Sequence, residues 1–197
     1  PNRFKNFSIN FGNLLLDFSR NRINDETLDI FEKLAEEIKL SDAIKSYFNG
    51  EKINETEGRG VLHTAVRNQS NNKLIHDGVN IIEKIKTERE RVFKFSNEII
   101  TGNYLGFSGK RISTIVNIGI GGSDLGPKMV TEALEFYRNH LNIKFISNVD
   151  GDHIHGLLEV LDPETTLFII VSKSFKTQET LTNGETIKRL SLIHIWR

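Results

Sequence analysis

Three short apolar runs that alternate with helical patterns place the strongest constraint on the fold of this chain. The runs are rich in isoleucine, valine and phenylalanine and lie at 112–120, 143–149 and 166–172. Helical patterns follow them at 127–138, 153–161 and 177–190. Alternation of this kind indicates βαβ units, in which helices cover a parallel sheet. We therefore predict a doubly wound α/β layer in the second half of the chain.

The first half of the chain has a helical pattern instead. One predicted helix face carries Leu28, Phe31, Leu34, Ala35 and Ile38. A second long amphipathic pattern covers about 79–100. We predict a helical region at 1–107, an incomplete first α/β domain at 108–190, and a separate tail at 191–197.

Both ends of the sequence look unnatural. The first residue is Pro1 rather than methionine, and the tail "SLIHIWR" introduces the only tryptophan without a helix-ending signal. We expect the chain to be truncated, with a non-native tail that packs poorly or extends the preceding helix by default.

Composition narrows the class of ligand. The chain has 26 basic and 26 acidic residues, so its net charge gives no electrostatic footprint for nucleic acid or a membrane surface. It has no cysteine and no apolar run of the length that spans a bilayer. We predict a cytosolic protein whose partner is a small molecule.

Three loops should meet at one edge of the predicted sheet. Parallel strands joined by right-handed crossovers place every strand-to-helix loop at the carboxyl edge. The loops are "GIGGSDLG" (119–126), "DGDHI" (150–154) and "SKSFKTQ" (172–178). We predict that they line a single ligand crevice.

The chemistry of two of these loops suits an anion. Gly119, Gly121 and Gly122 permit positive φ and bring backbone N–H groups close to a ligand, and Pro127 suits position N1 of the next helix. A helix N-terminus aimed in this way attracts negative charge. The arrangement predicts that a ligand anion lies against the first loop.

The third loop adds hydroxyl donors. Ser172, Ser174 and Thr177 surround Lys173 just before another predicted helix. Hydroxyl and amide donors around a tetrahedral anion suggest a phosphate. The alternative for Ser174 and Thr177 is ordinary helix N-capping.

The sequence does not match either of two common nucleotide-binding motifs. Gly121 and Gly126 have P-loop spacing, but Pro127 follows where the motif needs lysine, and Met129 follows Lys128 where it needs a hydroxyl. From Gly119 and Gly121, the third glycine of a dinucleotide fingerprint would fall on Asp124. We predict neither a nucleoside triphosphate nor a nicotinamide cofactor, and no other cofactor.

A metal site is not predicted either. His153 and His155 lie two residues apart, so on a helix they face different ways and cannot ligate one ion together. We interpret them as surface or capping histidines.

Four long blocks give the sequence a family resemblance. They are "FNGEKINETEGRGVLHTAVRN" (48–68), "VNIGIGGSDLGPKMVTEAL" (116–134), "SNVDGDHI" (147–154) and "FIIVSKSFKTQETLTN" (168–183). In this order the blocks resemble the phosphoglucose isomerase family, over nearly all of residues 8–190. The resemblance implies the sugar isomerase fold, a three-layer αβα sandwich around a parallel sheet.

The resemblance also implies a substrate and a set of binding residues. In the complete enzyme the family interconverts glucose 6-phosphate and fructose 6-phosphate, as a homodimer and without a metal. The positions that match the family's phosphate site are Gly122, Ser123, Ser172, Lys173, Ser174 and Thr177. Ser174 and Lys176 stand where the family more often has threonine. The hydroxyl is kept at 174, and a cation is added at 176.

The family's main catalytic groups have no match in this chain. The resemblance places the glutamate base, the ring-opening histidine and a catalytic lysine beyond its end, so we expect an N-terminal part that is inactive alone. Glu179 matches the carboxylate that orients that histidine, or it is an ordinary first-turn helix acid. Two alternative functions are a regulatory sugar-phosphate-binding module and a nucleotide-dependent oxidoreductase. The block "GEKINETEGRGVLH" (50–63) argues against the former, and the failed dinucleotide fingerprint argues against the latter.

Overall fold

The chain forms two compact units, residues 1–87 and 88–197. The computed structural model describes residues 2–70 and 72–195, with side chains described as far as residue 189. The boundary between the units falls within a long helix. The predicted domain limits at 107/108 and 190/191 stay predictions.

The first unit combines helices with two small antiparallel hairpins. Its elements are α1 (Arg3–Asn6), β1 (Ser8–Phe11), β2 (Leu14–Asp17), α2 (Asp25–Glu37), α3 (Leu40–Phe48), α4 (His63–Arg67), β3 (Ile75–His76), β4 (Val79–Asn80) and the start of α5 (Ile81–Thr101). The two helical patterns predicted from the sequence in this half of the chain are therefore confirmed as α2 and α5.

Helix α2 begins where its capping residues dictate. The Asn24 side chain accepts from Thr27 N at 2.9 Å, and the Thr27 hydroxyl accepts from Asn24 N at 3.4 Å, which satisfies two donors at the helix start. The apolar face forms as predicted, but Phe31 and Ile38 on it are 55% and 59% exposed. The periodicity correctly predicted which face of α2 is apolar, but it did not predict how exposed that face is.

The second unit holds the α/β layer. After the end of α5 come β5 (Thr114–Ile118), α6 (Gly122–Ala133), a 3-10 turn (Glu135–Tyr137), β6 (Asn142–Ile146), α7 (Gly151–Glu159), β7 (Thr166–Ile170) and α8 (Gln178–Ile195). The sheet order is β6-β5-β7 and both strand pairs are parallel. The predicted α/β fold with a parallel sheet is therefore correct.

Helices cover both faces of this sheet. On one face, Val116 and Ile118 pack with Ile154 of α7 and Ile187 of α8. On the other, Ile115 packs against a cluster that includes Ile99 of α5. Side chains of a strand point alternately to opposite faces, so the pattern of β5 builds both cores. This gives the three-layer αβα arrangement.

The predicted stripe of α7 packs as expected. Ile154 is buried, and Leu157, Leu158 and Leu161 lie against the same cluster. Helix α8 runs beyond its predicted end, so the backbone of residues 191–195 is helical. The side chains of that segment and residues 196–197 lie outside the described residues, and its non-native origin stays a prediction.

Candidate functional site

The carboxyl ends of the three strands lie side by side. Gly119 N donates to Ile146 O at 3.1 Å, and Val171 N donates to Ile118 O at 2.8 Å. The chain segments that leave β5, β6 and β7 therefore start at the same sheet edge. Helix α6 then turns to one face of the sheet, while α7 and α8 cover the other. In α/β proteins, ligands bind at the sheet edge where helices diverge in this way.

Two helices begin earlier than the sequence suggested. Helix α6 starts at Gly122 and α7 starts at Gly151, so most of 119–126 and of 150–154 is first-turn helix rather than loop. Asp150 caps α7 by accepting from Asp152 N at 3.0 Å and His153 N at 3.2 Å. The loops at this sheet edge are therefore shorter than predicted.

The predicted place of Pro127 is wrong. Pro127 is the sixth residue of α6 rather than its first. It lacks an N–H, so the carbonyl of Ser123, four residues earlier, has no helical partner. The Asn117 side chain of β5 donates to that carbonyl at 3.1 Å. A tertiary hydrogen bond thus makes an internal proline tolerable at this point.

The three glycines at the start of α6 serve different needs. Only Gly121 has a positive φ, 56°, which the prediction had extended to Gly119 and Gly122. Gly119 is required for close approach, since a Cβ there would lie 2.6 Å from Ser123 O. Nothing lies within 4 Å of a Cβ at Gly122.

The turn before α6 leaves two backbone donors open. Ser123 N bonds to Ile120 O at 3.1 Å, and Asp124 N bonds to Gly121 O at 3.0 Å. Across residues 2–70 and 72–195, neither Gly121 N–H nor Gly122 N–H donates to a backbone carbonyl. Both residues are exposed. The open amides are thus fewer than a free helix start would offer, and they lie at the crevice edge.

The segment after β7 presents hydroxyls and cations. Phe175 N donates to Ser172 Oγ at 3.1 Å, and Phe175 takes the left-handed conformation with φ 51°. This turn leaves the Ser172 hydroxyl proton available. Lys173 and Lys176 are exposed on either side.

Ser174 and Thr177 do not cap α8 with their side chains. Thr177 occupies the N-cap position, where its carbonyl accepts from Leu181 N at 3.0 Å. Within the part of the chain that the structure describes, neither the Ser174 nor the Thr177 hydroxyl forms a hydrogen bond. Both groups remain available to a ligand, so the capping alternative finds no support here.

Glu179 and His155 both lie exposed on helices. Glu179 is exposed in the first turn of α8, and its orienting role stays a prediction. His155 lies 3.2 Å from Glu159, one helical turn away. Among the described residues, no group of three or more histidine, aspartate or glutamate side chains is placed to hold a metal ion.

Sequence reasoning missed two buried polar residues beside the site. Asn117 and Asp124 are 8% and 4% exposed, and Asp124 Oδ1 has no hydrogen-bond partner among the described residues. An asparagine inside the apolar run "TIVNI" was the available signal, because asparagine is depleted in strands.

Comparison with known proteins decides the family. The family described as phosphoglucose isomerase matches residues 17–195. The chain belongs to this family. The match includes residues 191–195 of the predicted tail.

Individual phosphoglucose isomerase family members agree with this assignment. A glucose-6-phosphate isomerase of Wigglesworthia glossinidia brevipalpis is 55% identical over 188 residues, which cover 95% of this chain and 34% of that protein. The crystal structure of a glucose-6-phosphate isomerase from Chlamydia trachomatis D/UW-3/Cx is similar with a TM-score of 0.77 and 30% identity, over 98% of this chain and 37% of that one. The chain spans about a third of the length of the curated relative it matches.

Among residues 2–70 and 72–195, no helix combines the length and apolar character that a membrane-spanning helix requires.

Proposed function

We propose that this chain is part of a glucose-6-phosphate isomerase and carries the segments that hold the phosphate group of a hexose 6-phosphate. The observation that carries the proposal is the set of open donors at one sheet edge. Gly121 and Gly122 offer backbone N–H groups, and Ser174 and Thr177 offer hydroxyls without a partner among the described residues. The family assignment supplies the class of substrate.

We propose three further phosphate ligands, which are the side chains of Ser123, Ser172 and Lys173. A tetrahedral dianion accepts several hydrogen bonds at once, and charge-assisted bonds are roughly twice as strong as neutral ones. Helices α6 and α8 both start at this edge, so their positive ends add to the attraction.

The reaction proposed for the whole enzyme moves a proton between C1 and C2 of the open-chain sugar through an enediol. Such a step needs a positioned carboxylate base and an acid–base group for ring opening. The segments described here would anchor the substrate at its far end, and Glu179 would orient the ring-opening group. We further propose a cytosolic homodimer for the complete enzyme, on the family resemblance alone.

Titration of the ¹⁵N-labelled chain with glucose 6-phosphate tests the binding proposal. We expect amide shifts at 121–123 and 172–177, with a dissociation constant around the millimolar level, roughly −4 kcal/mol. Binding should be no tighter than this because hydrogen bonds of about 1 kcal/mol each, somewhat stronger where they are charge-assisted, must also offset the cost of association. Glucose without phosphate should leave these amides unshifted.

Two variants sharpen the test. Ser174→Ala and Thr177→Val each remove a hydroxyl without a structural partner among the described residues, so each should weaken binding about fivefold and leave the unfolding temperature unchanged. Thr186→Val is the matched control, because the Thr186 hydroxyl donates to Thr182 O at 2.8 Å farther along α8. Unchanged amides at 121–123 and 172–177 at tens of millimolar (roughly ten times the expected constant) would refute the proposal.

A further inference from the structure

We propose that Asn117 is a positioning residue for the phosphate-binding turn before α6, a role that rests on the function proposed above. Asn117 lies in β5, the central strand, and is 8% exposed. Its Nδ2 donates to Ser123 O at 3.1 Å. Asn117 thus ties the sheet to the second residue of the helix whose start supplies the proposed phosphate donors.

The hydrogen bond replaces one that the helix itself cannot make. In α6 the N–H of residue 127 would bond to the carbonyl of residue 123, and Pro127 removes that donor. The proline ring also crowds the carbonyl four residues earlier. Ser123 O accepts from Asn117 instead. The first turn of α6 is therefore held by a strand of the sheet rather than by the helix itself.

Glycine at 119 makes this anchor possible. A Cβ on Gly119 would lie 2.6 Å from Ser123 O and 2.9 Å from Ser123 C. The first turn of α6 therefore lies directly against the backbone that leaves β5. The position of the Ser123 carbonyl is therefore fixed by three residues with separate local roles, which are Asn117, Gly119 and Pro127.

Fixing that carbonyl also limits the movement of the donors beside it. Ser123 carries both the anchored carbonyl and a proposed phosphate-binding hydroxyl, and Gly122 N–H precedes it directly. A turn that is held before the ligand arrives avoids an ordering cost on binding. Asn117 touches no substrate in this account and acts through Ser123.

A double-mutant cycle separates positioning from simple stability. Inorganic phosphate is titrated against the chain, its Asn117→Ala and Pro127→Ala variants, and the double variant, with amide shifts and unfolding temperature recorded for each. Asn117→Ala should weaken phosphate binding about fivefold in the native background. With alanine at 127 the helical N–H is restored, so the same change should cost less than twofold.

The control and the second variant keep the outcome clear. Thr131→Ala removes another side-chain bond to an α6 carbonyl, from Thr131 Oγ1 to Pro127 O at 2.8 Å, and should not change phosphate affinity. If Asn117→Ala does not fold, Asn117→Leu replaces it, since leucine has the same branched shape without a donor.

Each result bears on a different proposal. Equal losses in the two backgrounds, or a similar loss from Thr131→Ala, would overturn the positioning role while leaving the phosphate site intact. Absence of phosphate binding by the unchanged chain would overturn both.

Discussion

Asp77 shows at the residue scale how one side chain serves both a turn and an ion pair. With Gly78 it forms the tip of the β3–β4 hairpin, at φ 48° and 77°. Aspartate tolerates the left-handed conformation that this turn requires. Its carboxylate lies 2.8 Å from Lys52 Nζ.

The pKa of Asp77 predicts a pH dependence for this hairpin. Hydrogen bonding to Lys52 lowers the pKa of Asp77 below its ordinary value of 3.8, against an opposing effect of desolvation. Because the pKa of Asp77 is lower in the folded state, its carboxylate stabilises the folded chain above pH 3.8. This stabilisation disappears as the pH falls through the folded-state pKa. Asp77→Asn keeps the turn and should lower the unfolding temperature slightly at pH 6, and its difference from the native chain should shrink as the pH falls towards 2.

Lys52→Met provides the matched control for this measurement. If the ion pair is the cause, the double variant should behave like Asp77→Asn alone. A difference that persists undiminished at pH 2 would instead attribute the effect to turn conformation.

Gly119 and Gly156 offer a second comparison at the residue scale. Alanine at 119 would place its Cβ 2.6 Å from a backbone oxygen, whereas nothing lies within 4 Å of a Cβ at Gly156 in α7. We expect Gly119→Ala to destabilise by about 1–3 kcal/mol, as overpacking does. Gly156→Ala should stabilise by up to about 1 kcal/mol through helix propensity. Urea unfolding of both variants checks the pair, and a neutral Gly119→Ala would contradict the close approach.

At the scale of elements, the start of α7 gives the clearest test. The Asp150 carboxylate accepts from two first-turn N–H groups of that helix. Asp150→Ala should therefore cost about 1 kcal/mol of unfolding free energy, and Asp150→Ser should recover most of the loss. If both substitutions are equally harmful in urea unfolding, the side chain has a role other than capping.

The sequence correctly predicted which strands and helices form the α/β layer, but it misplaced the residues at which helices begin. Apolar runs placed all three strands of the sheet, because a parallel strand covered on both faces needs a short continuous apolar run. The start of α6 was placed five residues late, at Pro127, since proline favours N1 and glycines rarely open a helix. The bond from Asn117 that compensates for Pro127 joins two elements, and no local pattern encodes such a contact.

The same limit applies to the candidate site. That the segments after β5 and β7 share one edge followed from parallel topology, which the sequence predicted. Which donors remain open did not follow, because the first-turn bonds of Ser123 and Asp124 depend on where α6 begins. Assignment of Gly122, Ser123, Ser172, Lys173, Ser174 and Thr177 to phosphate binding stays a prediction.

At the scale of the whole molecule, the residues to which we assign roles at this sheet edge supply binding chemistry rather than acid–base chemistry. Asp150 is engaged as a helix cap, and Asp124 is buried in α6. Glu179 is the remaining carboxylate to which we assign a role. The proposed role is to orient the ring-opening group. The substrate would therefore be held here chiefly at its phosphate.

Binding of this kind leads to a prediction about turnover. A phosphate far from C1 and C2 is bound about equally in the ground state and in the enediol-like transition state, and uniform binding does not accelerate the chemical step. We expect residues 1–197 alone to bind glucose 6-phosphate weakly without converting it to fructose 6-phosphate. A coupled assay with purified chain, against an enzyme-free background, measures this directly. Isomerisation that rises in proportion to chain concentration and falls in Ser174→Ala would mean that a base and a ring-opening group act within these residues.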